Sequence, residues 1–463
     1  MVYSDLIFIL GLFPIVTILS FFDRSTEYKN LILILASVIF FSWGKPFAFC
    51  LIFLSVFFDW AMGCAIKKQE GKRPVQAFFL VLDFIVNAGL LFVFGHNYLF
   101  VNSDLLSFEQ TVIPVGIAFY TLRGFSYVYD IYKGKAEPEK NVLCLLTYMI
   151  SFHLMLVGPL IRYKDIEPQI RKREITTAKL NAGLVKIFTG FAKVVLLADL
   201  FSRIKLAGLN GNEITTLGCW LGMMSFFAQY YFIFTGFSDI AKGLGLVNGF
   251  DYPENYFIVK ADELFTGLVR SVNTTVVDFF AEVFGINKDN KDNHSKAYVA
   301  VMAIVCGIVV SLWYEAKFNF VIVGLFAGLL IALEKVFLSK PLGKLPVWLK
   351  YVYLIAAAMV IFGGLYFDSF YGYKKWLFAL VGVNTKYTLG VAVKDAVLKN
   401  ITLIVIAFCI ICPFMNRLIK NAVTSFEEKS EKCYGISRIT KTVLTAFVFA
   451  LSIITLVVEY TGV

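Results

Sequence analysis

The chain has 463 residues, of which 59% are hydrophobic and only 16% are charged. A soluble domain is about half apolar and about a quarter charged, so a water-soluble core does not account for this composition. The composition excludes a disordered chain, a nucleic-acid scaffold and a water-soluble enzyme, and it predicts a polytopic membrane protein. The net charge of +10 is then expected on basic cytoplasmic loops beside anionic lipid.

Apolar segments follow one another along the whole chain. A spanning helix needs about 20 mostly apolar residues. We therefore expect an all-α fold of eleven to thirteen membrane helices, with re-entrant or interfacial helices where Gly, Pro or charge interrupts a segment. The candidate segments are 5–22, 29–43, 47–66, 76–95, 110–131, 142–161, 181–204, 215–236, 297–314, 317–338, 348–366, 400–418 and 440–460.

Two basic segments predict the orientation of these helices. Residues 67–75 read KKQEGKRPV, and 162–180 carry both signs with an excess of basic residues. Lys and Arg are enriched in cytoplasmic loops, so both segments are expected there, the second as an interfacial amphipathic helix. Cys409 and Cys412 have CxxC spacing, but their apolar neighbours favour helix packing over a redox or metal site.

Ionisable residues occur inside or beside several of the apolar segments. Such groups are costly in lipid, so each indicates either a polar interior with a function or a structural ion pair between helices. Asp239 and Lys242 are three residues apart and are expected on one helix face. The full set is Asp59, Arg123, Asp130, Arg162, Lys193, Asp199, Asp239, Lys242, Glu315 and Lys317.

Five motifs in order give the chain a family resemblance. They are FFSWGKP (40–46), IPVGIAFYTLRGFSYVYDIYKG (113–134), FHLMLVGPLIRYKDIEPQI (152–170), GFAKVVLLAD (190–199) and YFIFTGFSDIAKGLGLVNGFDYPENY (231–256). Together they resemble the membrane-bound O-acyltransferase family. The similarity is to the branch that contains the alginate O-acetyltransferase membrane subunit and the teichoic acid D-alanyl transfer protein. It covers 5–335 of a single membrane domain, 1–463, and leaves 336–463 as C-terminal membrane helices.

The resemblance implies both a fold and a reaction. Family members surround a tunnel at mid-membrane and take an acyl group, often acetyl, from a cytoplasmic thioester such as acyl-CoA or an acyl-carrier protein. They pass it to hydroxyls of a cell-envelope polysaccharide, sometimes through an extracytoplasmic partner. No resident cofactor, metal or nucleic acid is expected. In this chain the tunnel is expected to involve six residues, Trp313, Arg123, Asp130, Arg162, Asp239 and Arg270.

The chain departs from the family on the catalytic side. The family's late histidine, a general base, corresponds here to Tyr314, after the matching Trp313. A second family histidine corresponds to Asn273, which cannot act as a base. Ile233 replaces a family aspartate, and the polar loop 286–296 replaces a Gly-rich one.

These departures leave two hypotheses open. In the first, the chain is an acyltransferase whose base has been replaced by Tyr314, Glu315 or His153. A tyrosine with a pKa near 10 is a poor base at neutral pH, whereas a desolvated carboxylate serves better. In the second, the chain is a non-catalytic relative acting as scaffold, binding subunit or conduit for acyl donor or lipid. The structural alternative for Glu315 is an ion pair with Lys317, and the structural alternative for His153 is a buried packing role.

Overall fold

The computed structural model describes residues 5–22, 25–43, 48–95, 116–210, 214–286, 294–315, 317–367, 369–383, 385 and 387–461. Helix is the only regular secondary structure in these ranges, so the predicted all-α class is confirmed. Parts of three sequence features lie outside the described residues, namely 44–46 of the first motif, 113–115 of the second and 287–293 of the polar loop.

The described helices follow one another in chain order. In order they are Phe8–Leu12 (π), Phe13–Phe21, Thr26–Ser42, Ala48–Lys68, Arg73–Leu90, Leu91–Gly95 (π), Ile117–Tyr132, Val142–Ile150, Phe152–Leu154 (3-10), Tyr163–Arg171, Thr177–Ala192, Lys193–Ala198 (π), Asp199–Leu209, Thr216–Val247, Ala261–Glu263 (3-10), Leu264–Val272, Thr274–Val283, Lys296–Tyr314, Phe318–Leu333, Glu334–Leu338 (π), Ser339–Gly343, Val347–Tyr366, Phe370–Leu380, Val391–Lys399, Ile401–Ile411, Pro413–Glu427 and Glu431–Thr461.

Seven of the described helices are long and apolar enough to cross a membrane, which makes the chain a multi-pass membrane protein. They are Phe49–Lys68, Arg73–Phe94, Thr216–Val247, Lys296–Tyr314, Phe318–Gly343, Val347–Tyr366 and Glu431–Val458. An eighth crossing results if Ile401–Ile411 and Pro413–Glu427, which are bent by 84°, form one broken span.

Within the described residues, other predicted spans correspond to shorter or interrupted helices. The predicted span 142–161 is the clearest case, because its helix Val142–Ile150 has only nine residues and is followed by the short 3-10 turn Phe152–Leu154. The Gly158–Pro159 pair that follows cannot continue a helix. The segment 162–180 contains the predicted amphipathic helix, Tyr163–Arg171, which buries Tyr163, Ile166 and Ile170.

The chain forms two compact units. The first contains Met1–Ile187, Phe237–Glu254 and Trp313–Lys317, and the second contains Phe188–Gly236, Asn255–Leu312 and Phe318–Val463. In the first unit, the helices Ala48–Lys68, Arg73–Leu90 and Ile117–Tyr132 pack against one another.

The second unit is held by apolar clusters and by close helix contacts. One cluster surrounds Phe226, Met359 and Trp376, and another surrounds Phe265. A Cβ added at Gly307 would lie 2.4 Å from the main-chain oxygen of Gly324, so only glycine permits this approach between neighbouring membrane helices.

Candidate active site

The predicted catalytic position lies at the end of helix Lys296–Tyr314. Trp313 is buried, its Nε1 donates to the main-chain oxygen of Ala118 at 2.8 Å, and its ring meets that of Phe119 edge to face at 5.2 Å. Tyr314 is 37% exposed, with its ring 4.8 Å from that of Trp313. Trp313 therefore anchors the helix end, while the tyrosine in the histidine position is presented outside the packed core.

Glu315 and Lys317 form the ion pair that the sequence offered as an alternative to a catalytic role. Their Oε1 and Nζ atoms are 2.6 Å apart, and each side chain is about one third exposed. A partly exposed pair of this kind contributes little stability. The carboxylate therefore stays accessible beside Tyr314, and its catalytic role stays a prediction.

His153 lies in the 3-10 turn Phe152–Leu154 and is completely buried. Its Nδ1 is hydrogen-bonded to the hydroxyl of Tyr252 at 3.0 Å, and the ring of Phe250 lies 5.7 Å away. Gly245 makes room for Tyr252, since a Cβ there would lie 2.3 Å from the tyrosine ring. His153 Nε2 has no hydrogen-bond partner among the residues the structure describes. The geometry thus orients the imidazole within the core.

The start of helix Ile117–Tyr132 contacts both segments that carry these candidates. Gly116, in the left-handed region with φ of 78°, lies against Met155, where a Cβ would be 2.3 Å from the main-chain oxygen. Two residues later, Ala118 accepts the hydrogen bond from Trp313. The turn with His153 and the helix end with Tyr314 are therefore both attached to this helix start, within the first unit.

Arg123 stabilises the break after helix Val142–Ile150. Its guanidinium donates to the main-chain oxygens of Tyr148 and Met149, both at 3.1 Å, and to that of Leu154 at 2.8 Å. Carbonyls at a helix end lack partners within the helix and carry partial negative charge, which an arginine neutralises. This geometry favours a positioning role for Arg123, and its predicted place in a tunnel stays a prediction.

Asp130 and Arg162 form a buried ion pair. The carboxylate is completely buried, Arg162 Nε donates to it at 2.9 Å, and Nη2 makes a second, very short contact. The guanidinium also lies over the ring of Tyr129, 5.7 Å from its centroid. The pair joins helix Ile117–Tyr132 to the residue that precedes helix Tyr163–Arg171, and bidentate geometry of this kind fixes orientation.

Asp239 and Lys242 belong to one charge cluster but have different partners. Asp239 lies 2.8 Å from Lys186 Nζ, and Lys242 Nζ lies 3.0 Å from Glu254. Lys186 also contacts Glu254, at 3.2 Å, so two cations and two carboxylates form a neutral chain. Lys186 was missed by the sequence analysis, although a lysine inside the apolar segment 181–204 is the same signal that identified Lys193.

In the second unit, Arg270 donates to Asp278 through Nε at 2.6 Å and Nη2 at 2.7 Å. Asn273 is 1% exposed and lies at the junction between helices Leu264–Val272 and Thr274–Val283. Asn255 holds this junction, because its main-chain oxygen accepts from Thr274 N at 2.9 Å. Tyr314 and Asn273 belong to different units, so their convergence on one site stays a prediction.

Glu334 is a buried carboxylate that the sequence analysis missed. It accepts hydrogen bonds from the main-chain N–H groups of Phe265 and Thr266 at 2.8 Å each, and from the hydroxyl of Tyr353 at 2.7 Å. These N–H groups open helix Leu264–Val272, where a carboxylate satisfies unpaired donors and the positive helix end. Glu334 therefore positions the helix that carries Arg270.

No protein-family model matches the chain. A probable alginate O-acetylase AlgI of Pseudomonas aeruginosa is 28% identical over 350 residues, which is 72% of this chain and 66% of the relative. The chain thus covers about two thirds of that relative's length. A peptidoglycan O-acetyltransferase of Helicobacter pylori is 21% identical over 79% of this chain and 77% of its own, and a teichoic acid D-alanyltransferase of Bacillus subtilis is 24% identical over 47% and 58%.

The alginate O-acetylase and the teichoic acid D-alanyltransferase carry the names of the branch that the five sequence motifs resemble. They match a chain whose described helices include seven candidate membrane spans. The comparisons therefore agree with the resemblance of the chain to the membrane-bound O-acyltransferase family, in the branch of the alginate O-acetylases and the teichoic acid D-alanyltransferase.

Proposed function

We propose that this protein transfers an acyl group, such as acetyl, from a thioester donor to hydroxyls of a cell-envelope polysaccharide. The named relatives support acyl transfer, since each carries an acetylase, acetyltransferase or alanyltransferase name. The single observation on this chain that supports the proposal is the hydrogen bond from Trp313 to Ala118. This bond fixes the helix end that carries Tyr314, the position of the family's histidine.

The reaction forms one bond and breaks another. The acceptor hydroxyl oxygen attacks the thioester carbonyl, so a carbon–oxygen bond forms and the carbon–sulfur bond breaks. The hydroxyl proton passes to a base and then to the departing thiolate, which leaves as the free thiol. The thioester is an acyl-CoA or an acyl-carrier protein, and it is a co-substrate that leaves after each turnover.

Among the three replacement candidates, Glu315 is the base we propose. Its side chain is partly exposed at the helix end that Trp313 anchors, whereas His153 is completely buried. Lys317 Nζ lies 2.6 Å from the Glu315 carboxylate and orients it. The phenol of Tyr314 is adjacent and serves as a hydrogen-bond donor to the substrate.

A multi-pass protein in the inner membrane allows donor and acceptor to meet from opposite sides. The basic segments 67–75 and 162–180 support a cytoplasmic donor side, since Lys and Arg are enriched in cytoplasmic loops. On the outer side the acyl group passes to the polysaccharide directly or through an extracytoplasmic partner. The non-catalytic alternative, a scaffold, binding subunit or conduit, receives no support from the names of these relatives.

An envelope acylation assay tests the proposal. Cells with the gene deleted are complemented with the wild type or with single variants, and ester-linked acyl groups on isolated envelope polysaccharide are counted. We expect Glu315→Gln to lower acylation about 100-fold, the usual contribution of a general base, and Tyr314→Phe to lower it less. Glu428→Gln and Tyr371→Phe, on exposed residues, are the matched controls.

Two outcomes would contradict the proposal. Equal acylation in the deleted and complemented strains rejects acyl transfer itself. Full acylation by the variants Glu315→Gln, Tyr314→Phe and His153→Ala, in a strain where complementation is required, rejects this set of bases and restores the non-catalytic reading of these positions.

A further inference from the structure

Two carboxyl groups without counter-charges lie midway along membrane spans of the first unit. Asp59, on Phe49–Lys68, is 1% exposed, and Asp83, on Arg73–Phe94, is completely buried. Within the part of the chain that the structure describes, neither is in an ion pair. An isolated carboxylate at this depth is very costly, and acidic residues that persist there mark proton or ion sites. Neither residue has a role in the proposed acyl transfer.

A single amide group brings the two carboxyls together. Asn87, one helical turn after Asp83, uses Nδ2 to donate to Asp59 Oδ1 at 2.9 Å and to Asp83 Oδ2 at 3.4 Å. Both carboxyl groups therefore lie around one NH₂ group. Two negative charges this close in a low-dielectric interior repel strongly, so the two carboxyls cannot both be ionised.

A third helix directs a further polar group at the pair. Asp59 lies against Gly124, where a Cβ would be 1.9 Å from Asp59 Oδ2. Tyr120 is one turn earlier on the same face of helix Ile117–Tyr132, is 2% exposed and interacts electrostatically with Asp59. The Tyr120 hydroxyl has no hydrogen-bond partner among the described residues, and neither do Asp83 Oδ1 and Asn87 Oδ1. Buried polar atoms usually have hydrogen-bond partners, so the protonation of the pair matters for its stability.

We propose that Asp59 and Asp83 together bind one proton, with Asp83 as the acid and Asp59 as the carboxylate. Asp59 Oδ1 accepts the shorter bond from Asn87, which suits the charged member. Asp83 Oδ1 has no donor within the described residues, and a proton there turns this oxygen into a donor. One bound proton lowers the charge of the pair from two to one.

Among the residues that the structure describes, no cation forms an ion pair with either carboxyl group. Among the described residues, Tyr120 and Tyr127 on the third helix interact electrostatically with Asp59, and both are neutral when protonated. Arg123, on the third helix, directs its guanidinium to the main-chain oxygens of the helix break. The proton is therefore the occupant that balances the site.

Infrared spectroscopy of the purified full chain in phosphatidylcholine nanodiscs tests this proposal. A protonated carboxyl has a C=O stretch separate from that of a carboxylate. We expect the wild type to show a protonated buried carboxyl near neutral pH, Asp83→Asn to lose that band completely, and Asp59→Asn to keep it. Asp395→Asn, on an exposed residue of helix Val391–Lys399, is the matched control and should leave the band unchanged.

Three results would overturn the proposal. The first is a wild-type spectrum without the band, and the second is a band that survives in Asp83→Asn. The third is a melting temperature that rises in NaCl relative to choline chloride in the wild type but not in Asp59→Asn, which would identify a metal cation as the occupant. If Asp83→Asn fails to fold, the wild-type spectrum is the test. The band of the protonated carboxyl must then disappear reversibly as the pH rises, and a band that persists overturns the proposal. None of these readouts depends on acyl transfer.

Discussion

Trp313 donates its indole N–H to the main-chain oxygen of Ala118 at 2.8 Å, so the end of one helix is hydrogen-bonded to the start of another 195 residues earlier in the chain. Tyr314 and Glu315 follow directly, and their position depends on this bond. This hydrogen bond holds the helix end in place and leaves the next two residues accessible, as the proposed acyl transfer needs.

Trp313→Phe should therefore lower activity more than stability. Phenylalanine keeps most of the apolar contact with Phe119 but removes the indole donor. The oxygen of Ala118 keeps its contact with Thr121 Oγ1 at 3.3 Å, so the expected loss of stability is about 1 kcal/mol. We expect envelope acylation to fall about 10-fold or more while the protein still accumulates in the membrane. Trp348→Phe, at an indole that is 65% exposed, is the control. Unchanged acylation would show that the anchor is dispensable.

Arg123→Lys should destabilise the protein although it keeps the charge. A lysine ammonium cannot reach the three main-chain oxygens that the planar guanidinium contacts, so at least one buried carbonyl loses its partner. The expected loss is about 2–3 kcal/mol, measured as a lower melting temperature in detergent. Arg438→Lys, on an exposed residue of the C-terminal helix, is the control. A melting temperature equal to that of the wild type would contradict the role at the helix break.

Glu334→Gln should loosen helix Leu264–Val272. The carboxylate accepts from Phe265 N, Thr266 N and Tyr353 Oη, whereas the amide NH₂ of a glutamine would face a donor. We expect a loss of about 1–3 kcal/mol and faster amide hydrogen exchange confined to 264–272. Glu428→Gln provides the comparison, and exchange that is no faster in Glu334→Gln would reject this positioning role.

The sequence predicts those features of the fold and site whose cause lies within one segment, and it misses those that depend on contacts between distant segments. The all-α membrane class follows from runs of apolar residues, and Asp130 and Arg162 were identified because ionisable groups are rare there. Their pairing needs the fold, since 32 residues separate them. Glu334 resembled an ordinary charge at the end of an apolar run, and its helix-capping role depends on contacts 68 and 69 residues away. Arg123 was identified, but its carbonyl partners arise only from a helix break in the neighbouring segment.

Glu139 should make stability depend on acidic pH. Burial by itself would raise the pKa of this carboxyl, but hydrogen bonds from Tyr163 and the main-chain N–H of Asn141, together with Arg171 at 2.6 Å, outweigh it and hold the pKa below its ordinary value of 4.5. Because the folded-state pKa is the lower one, ionised Glu139 stabilises the protein above about pH 4.5, and this contribution is lost as the pH falls further.

Melting temperatures of the wild type and of Glu139→Gln, measured from about pH 6 down to about pH 3.5, test this pH dependence. The wild type should be the more stable near pH 6, by about 1 kcal/mol or less since Arg171 is half exposed, and the difference should shrink as the pH falls. The partly exposed Glu254→Gln, whose carboxylate belongs to another cluster, is the comparison. If the difference in melting temperature between wild type and Glu139→Gln stays constant across this range, folding does not lower the pKa of Glu139.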